Sequence, residues 1–384
     1  MKAVVIGGVF PPEMAQFELL AKSIDLVVYG SVKRMPGHTY RPKPPQGCES
    51  RTFYPVILGK QGHLRWIYKG LFSALDNDRP DVVHVVSEPW GSLAVQAAAW
   101  ARRRGFRGLV LHGCDQNWHA SRRPRDVKKW PRIGLARFSL SVASGFAGEN
   151  SAAIGAANKG GLRAGAPTSV IHTNPRDPSV FRPPRDEVER SEARTSLGLP
   201  SNGIGVGLLG RLVPEKGAGL FAEAWSLARS QIAADEVWAA IAGTGPLEPE
   251  LRRHADETLK IQGSLRFPDE VVGFLKSTDI FVHPPWTTSW WAEQAPRALI
   301  EAMLSGCFVV ATDSGANSEV IGDTGILVPE SDPIRLADAI LEAIEQVELR
   351  PGDVASRNRA LREFSVTATA EKLDDLWRQV LEEA

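Results

Sequence analysis

Short apolar runs recur along this chain, each followed by a stretch whose hydrophobic residues return at helical spacing, and the whole cycle happens twice. In the first half the runs fall at 3–6, 25–28, 81–86, 108–112, 145–147 and 168–171, with helical patterns at 13–23, 64–75, 92–103 and 134–143. The second series has runs at 204–209, 236–242, 258–261, 279–283, 308–311 and 325–328, with helical patterns at 218–230, 268–276, 296–304 and 333–347. Continuous β-branched runs alternating with helices describe parallel strands covered on both faces. The pattern predicts α/β architecture with two Rossmann-like doubly wound domains.

Between the two series, Asn174-Pro175-Arg176-Asp177-Pro178 and Pro183-Pro184 interrupt the rhythm. The expected organisation is a first domain over 1–175, a connection over 176–203, a second domain over 204–365, and a terminal helix at 366–381. With 384 residues, 43% of them hydrophobic and 23% charged, each domain has ample core and disorder is excluded. The 45 basic and 45 acidic side chains cancel overall, but not locally. Residues 1–175 carry 24 Lys and Arg against 11 Asp and Glu, a balance of +13, and residues 176–384 carry 21 against 34, a balance of −13. Such asymmetry gives the two halves different partners. Cys48, Cys114 and Cys307 form no CxxC pair, so neither a disulfide framework nor a structural zinc site is expected. The chain shows no leader-peptide pattern and no apolar run near the ~20 residues that span a bilayer, so a cytoplasmic protein is expected.

Open α/β sheets bind ligands beyond the carboxyl ends of their strands, so informative residues should lie just after strands. Gly205-Val206-Gly207-Leu208-Leu209-Gly210 matches the dinucleotide fingerprint in spelling only, because its glycines fall inside a strand. Asp76-Asn77-Asp78 reads as a helix end with solvated acids rather than a metal site. Gly210-Arg211-Leu212-Val213-Pro214-Glu215-Lys216-Gly217 is different. It follows a strand, ends at a helix start, and sets two cations around one turn, which suits phosphate. The segment from Trp286 to Met303 also follows a strand. It places Glu293 before a helix and Glu301 within it, with Pro296 suited to the first helical turn.

Glu301-Ala302-Met303, Ser305-Gly306-Cys307-Phe308-Val309-Val310-Ala311-Thr312, Gly315 and Gly325-Ile326-Leu327-Val328-Pro329 together resemble the retaining GT-B glycosyltransferases of family four type, the glycosyl transferases group 1. Asn174, Asp177, Phe181 and Pro183 resemble that family's interdomain signature. The resemblance implies two Rossmann-like domains facing a central cleft, with a basic acceptor domain, an acidic donor domain and a terminal helix that returns to the first domain. It also implies a nucleotide-sugar co-substrate, UDP- or GDP-linked, with no cofactor and no metal. Arg211 and Lys216 would hold the donor diphosphate, Glu293 the sugar hydroxyls, and Glu301 the ribose. Gly243, Gln294 and Ala295 would line the donor, and His112 would stand near the reacting sugar. Asp115, Asn117, His119, His84 and Glu88 are weaker candidates. The chain departs from the family at Gln294-Ala295-Pro296, where relatives carry Gly-Phe-Gly, and at Glu13-Met14-Ala15, where they carry paired glycines.

The expected partners are a nucleotide-sugar donor and a sugar, small-molecule or lipid-linked acceptor. Basic residues such as Arg102, Arg103, Arg104, Arg122, Arg123, Arg125, Lys128, Lys129, Arg132 and Arg137 would allow peripheral contact with an anionic membrane. So would a helix over 64–75 mixing Arg65 and Lys69 with Trp66, Tyr68 and Phe72. Nucleic acid is disfavoured, since no recognised motif accompanies the charge. The alternative readings are a sugar-nucleotide epimerase or phosphorylase on the same fold, and a non-catalytic sugar-nucleotide binding protein.

Overall fold

A computed structural model describes the chain except residues 8–13, 32, 36–37, 41–44, 55, 58–65, 117–128, 233–236 and 350–351. The chain divides into two compact units. One comprises Met1–Pro175 with Val366–Ala384, the other Arg176–Ser365.

The first unit is built on a parallel sheet of β1 (Lys2–Gly7), β2 (Asp25–Ser31), β5 (Glu49–Phe53), β8 (Val82–Val86), β9 (Leu109–Gly113), β10 (Gly145–Gly148) and β11 (Thr168–Val170). The strand order is β11-β10-β9-β8-β1-β2-β5. Two small antiparallel hairpins, β3 (Lys33–Met35) with β4 (His38–Tyr40) and β6 (Val56–Ile57) with β7 (Trp66–Ile67), stand beside it. The central strands are buried on both faces because helices cover both. Leu71, Leu75, Ala97 and Trp100 pack on one face, and Phe17, Leu373, Leu376 and Trp377 on the other. The terminal helix Val366–Glu382 therefore belongs to the first unit, despite its distance in sequence.

The second unit repeats the plan. Its sheet is β14-β13-β12-β15-β16-β17, formed by β12 (Ile204–Leu209), β13 (Val237–Ala242), β14 (Leu259–Gly263), β15 (Ile280–His283), β16 (Phe308–Thr312) and β17 (Ile326–Val328), all parallel. The glycines of the false fingerprint are packing positions. A Cβ on Gly205 would meet the Trp238 ring at 2.5 Å, and one on Gly207 would meet Thr278 Oγ1 at 2.7 Å.

Three expectations are corrected. The stretch 176–203 is not a free connection, because its helix Glu187–Ser196 is tied into the second unit. Arg194, 2% exposed, donates from Nη2 to Asp279 Oδ2 at 2.9 Å and from Nε to the Ser277 carbonyl at 3.1 Å. Arg190 also donates to Asp279, and the Gly205 amide reaches the same carboxylate at 2.8 Å. Second, Asp78 is no solvated helix end. It is buried against the Tyr29 hydroxyl and Arg51, whose Nε lies 2.6 Å away, while Asp76 accepts from Trp100 and Arg104. Third, no continuous helix covers 64–75. Trp66–Ile67 is a strand, the helix begins at Leu71, and Tyr68 is buried in the core. Leu64, Arg65, Arg122, Arg123, Arg125 and Lys128 lie outside the described residues.

The Asp279 hub yields a stability prediction. Asp279→Ala leaves two guanidinium groups without their shared counterion, one of them almost fully buried, at a cost of about 3 kcal/mol. Urea denaturation checks this, and a loss below about 1 kcal/mol would show that the charges are satisfied elsewhere.

Candidate functional site

The second sheet reverses direction at β12. The chain runs outward to β13 and β14 on one side, then returns to lay β15 to β17 on the other. A crevice opens at such a switch point, beyond the carboxyl ends of the two diverging strands. The loops after β12 and β15 carry the strongest sequence signals, and here they meet.

After β12 the chain makes one tight turn at Pro214–Lys216 and enters the helix Ala218–Arg229 through Gly217. Gly217 has φ +76°, and a Cβ there would stand 1.8 Å from the Pro284 carbonyl oxygen. Only glycine lets the two loops approach this closely. The Trp286 indole then donates to the Pro214 carbonyl at 2.7 Å, fastening one loop to the other.

This arrangement delivers Lys216 Nζ to Glu293 Oε2 at 2.5 Å. His283, the last residue of β15, places Nε2 at 3.3 Å from the same oxygen. The Trp291 ring lies 4.9 Å from Lys216 Nζ, a cation–π distance. Glu293 is 4% exposed and its backbone is clamped, since its carbonyl accepts from the Ala316 amide at 2.8 Å. Gly315, with φ +56°, makes room for that contact, because a Cβ would sit 1.9 Å from the Glu293 oxygen.

Burial alone would push the Glu293 carboxyl up. The hydrogen bond and charge of His283, with the charge of Lys216, outweigh it and hold the group down at about 2. The folded protein therefore binds fewer protons here than the unfolded chain. This contribution to stability is complete above about pH 4.5 and is lost as pH falls toward 2. In acid titrations followed by circular dichroism, Glu293→Gln should flatten the stability profile in that window. An unchanged profile would mean that Glu293 is not held by these partners.

The remaining expected residues separate. Arg211 is exposed just past β12, and among the described residues no hydrogen bond or ion pair of its side chain is present. Glu301, 5% exposed within the helix Arg297–Leu304, pairs with Arg176, whose Nε lies 2.6 Å from Oε1. Arg176 in turn stacks over Phe181 and Phe267. Gly243, with φ +139°, allows the loop after β13 to pass the loop after β12, and its amide is spent on the Gly263 carbonyl at 2.6 Å. Gln294 and Ala295 are half-buried ahead of the helix that carries Glu301, with Pro296 capping it. His283, Trp291 and Arg176 were not anticipated. His283 had a legible signal, a histidine ending a strand before Pro284-Pro285.

His112 lies in the first unit, 3% exposed, with both ring nitrogens engaged. Nε2 is 2.9 Å from the Ile171 carbonyl, which can only accept, so Nε2 carries the proton. Nδ1 then accepts from His84 Nε2 at 3.1 Å, and His84 Nδ1 accepts from the Trp377 indole at 3.1 Å. Burial drives both imidazoles below their ordinary value and keeps them neutral. A catalytic role for the His112 ring would have to break one of these bonds. Glu88 is occupied by the Cys114 and Asp115 amides at 3.0 and 3.1 Å. Asn117 and His119 lie outside the described residues, among which no cluster of three or more metal-ligating side chains occurs.

Residues 203–346 match the family described as glycosyl transferases group 1. The D-inositol 3-phosphate glycosyltransferase of Corynebacterium glutamicum is 29% identical over 218 residues, 53% of this chain and 50% of that protein. The chain thus spans about half the length of that relative. The UDP-Gal:alpha-D-GlcNAc-diphosphoundecaprenol alpha-1,3-galactosyltransferase of Escherichia coli is 24% identical over 80% of this chain and 77% of its own. Among solved structures, Anabaena HepE in complex with UDP has a TM-score of 0.68 at 20% identity, covering 98% of this chain and 99% of that one. That likeness shows the fold, two Rossmann-like α/β domains of the GT-B kind, as expected from the sequence. The second unit thus contains the segment that matches the glycosyl transferases group 1 model, and the chain as a whole shares the GT-B fold.

Proposed function

We propose that this chain is a glycosyltransferase that moves a sugar from a UDP- or GDP-linked donor to a hydroxyl acceptor, with retention of configuration. The observation that carries the reading is the Lys216–Glu293–His283 cluster at the switch point of the second sheet. The match of residues 203–346 to the glycosyl transferases group 1 model supports it, as do the UDP-Gal donor named for the Escherichia coli relative and the UDP bound to Anabaena HepE.

The chemistry follows from the side chains. Glu293, a buried carboxylate ionised far below neutrality, can only accept hydrogen bonds, which suits donor-sugar hydroxyls. Lys216 offers a compact point charge in the turn that opens the helix Ala218–Arg229, and Arg211 an unengaged fork earlier in the same loop. In transfer, the anomeric C–O bond breaks and its electron pair goes to the diphosphate oxygen. The acceptor oxygen forms the new bond, and its proton passes to the departing phosphate. Lys216, held in place by Glu293 and Trp291, and the free Arg211 stabilise the charge where it accumulates, so no divalent ion is required by this route. The acceptor is a sugar, a small molecule or a lipid-linked saccharide. Among the described residues no helix is long and apolar enough to cross a membrane. A lipid-linked acceptor would be met peripherally, with the basic first unit against an anionic bilayer surface.

Thermal shift with UDP, GDP and their sugars, followed by turnover of the best donor with an acceptor panel and with chelator, tests the proposal. Nucleotide binding without any turnover would leave a binding protein, and donor conversion without acceptor would leave an epimerase.

A further inference from the structure

The helix Arg297–Leu304 buries six residues, of which five are apolar and the sixth is Glu301. An ion pair in such a place is often no more stabilising than apolar side chains of the same volume. Packing alone therefore does not account for Glu301. The way its partner is held says what the pair is built for.

That partner, Arg176, is the first residue of the second unit, and its backbone forms a parallel bridge with Ser365, the last. The turn that follows brings Phe181 back toward it. The Ser179 amide donates to Asp177 Oδ1 at 2.8 Å, and the Phe181 amide to the Asp177 carbonyl at 3.0 Å. The guanidinium carbon then lies 5.8 Å from the centre of the Phe181 ring and 5.4 Å from that of Phe267, the two rings being 6.1 Å apart. Arg176 is thus held at its backbone, over two rings, and at Nε, 2.6 Å from Glu301 Oε1. A planar cation fixed at so many points orients its counterion.

Glu301 stands apart from the Lys216–Glu293 pair, but on the helix that the Glu293 loop opens. In the donor reading Lys216 serves the diphosphate and Glu293 the sugar, and a carboxylate repels phosphate. The part of a UDP- or GDP-linked donor left for a second carboxylate is the nucleoside, whose ribose offers two adjacent hydroxyl donors. A carboxylate reads such a pair only when it is ionised and its plane is set.

We propose that Arg176 is a positioning residue that sets ribose specificity, by fixing the Glu301 carboxylate so that the 2′-hydroxyl of the nucleotide is recognised. The ligand of Glu301 rests on the donor-site reading; the contribution of Arg176 is measured separately from it.

Calorimetry on the full chain compares UDP with 2′-deoxy-UDP and GDP with 2′-deoxy-GDP. The preferred ribonucleotide should bind wild type about tenfold or more tighter than its deoxy form, the usual worth of a hydrogen bond to a charged group. In Arg176→Met, whose flexible side chain still covers the two rings, that ratio should fall to about threefold or less, through weaker binding of the ribonucleotide. A merely structural role would weaken both forms alike. Phe267→Ala, at a position 45% exposed, removes part of the support under the guanidinium and should lower the ratio by about threefold. Circular dichroism reports whether each variant is folded. An unchanged ratio in Arg176→Met overturns the proposal, as does an unchanged ratio in Phe267→Ala should the first variant not fold. So does an equal loss of both nucleotide forms, or a wild type that binds them alike. Nucleotide binding with any of these results leaves the donor-site reading standing, whereas wild type that binds no nucleotide overturns both.

Discussion

Lys216→Ala is expected to lower donor turnover by about 100- to 1000-fold, the usual effect of removing one preorganised charge from a developing anion. Two features of the site argue for the upper part of that range. Lys216 reaches Glu293 at 2.5 Å and lies under the Trp291 ring, so its position is set before any ligand arrives. Such preorganisation is what makes a charge effective in the transition state. The substitution also strips Glu293 of its nearer counterion, leaving His283, and the carboxyl should rise from about 2 toward its ordinary range. Two readouts therefore move together, turnover of nucleotide-sugar and acid stability. Glu293→Gln should weaken sugar-dependent donor binding while sparing binding of the bare nucleotide. If Lys216→Ala leaves turnover within about threefold of wild type, the cluster is structural and the proposed donor site is wrong.

Trp377→Ala is expected to have the largest effect on stability, about 3–5 kcal/mol in the first unit. Trp377 is fully buried beneath the sheet, and its indole N–H is the first donor in the chain through His84 and His112 to Ile171. Alanine leaves a cavity and an unpaired nitrogen on His84. Trp377→Phe separates the two costs, because it retains most of the volume and should cost about 1–2 kcal/mol for the lost donor. Because burial lowers both histidines, the native state binds fewer protons than the unfolded chain below their ordinary value of 6.5. Their contribution is complete above that pH and falls as pH drops below it, each histidine steepening the slope by up to about 1.4 kcal/mol per pH unit. Acid loss in the first unit should thus begin near pH 6.5, well before the window governed by Glu293. Denaturation followed by tryptophan fluorescence at about pH 5, 6 and 7 checks this, and a flat profile across that range would mean that the imidazoles titrate freely.

The parallel strands were legible because their signal is local. A strand buried on both faces must be apolar throughout, and all twelve runs read from the sequence, from 3–6 to 325–328, coincide with sheet strands to within a few residues. The edge strand β5 was missed because Glu49-Ser50-Arg51-Thr52-Phe53 faces solvent over much of its length and carries no apolar run. The loops carrying Lys216 and Glu293 were legible for another local reason, since each combines a strand end, a helix start and an ionisable residue. Helical amphipathicity misled at 64–75, where Tyr68 is pulled into the core by a hairpin and not by a helix.

Sequence alone therefore determined the α/β class, the two sheets and the loops that bear charge, because strand burial and turn chemistry are written within a dozen residues. Tertiary structure decided which charges meet. Lys216 and Glu293 are 77 positions apart, and Trp377 and His84 are 293 apart. Only packing shows that the two buried imidazoles of His84 and His112 are already spent and that Glu301 answers to Arg176. Hydrogen bonds and ion pairs act over about 3 Å in space and leave no periodic trace along the chain.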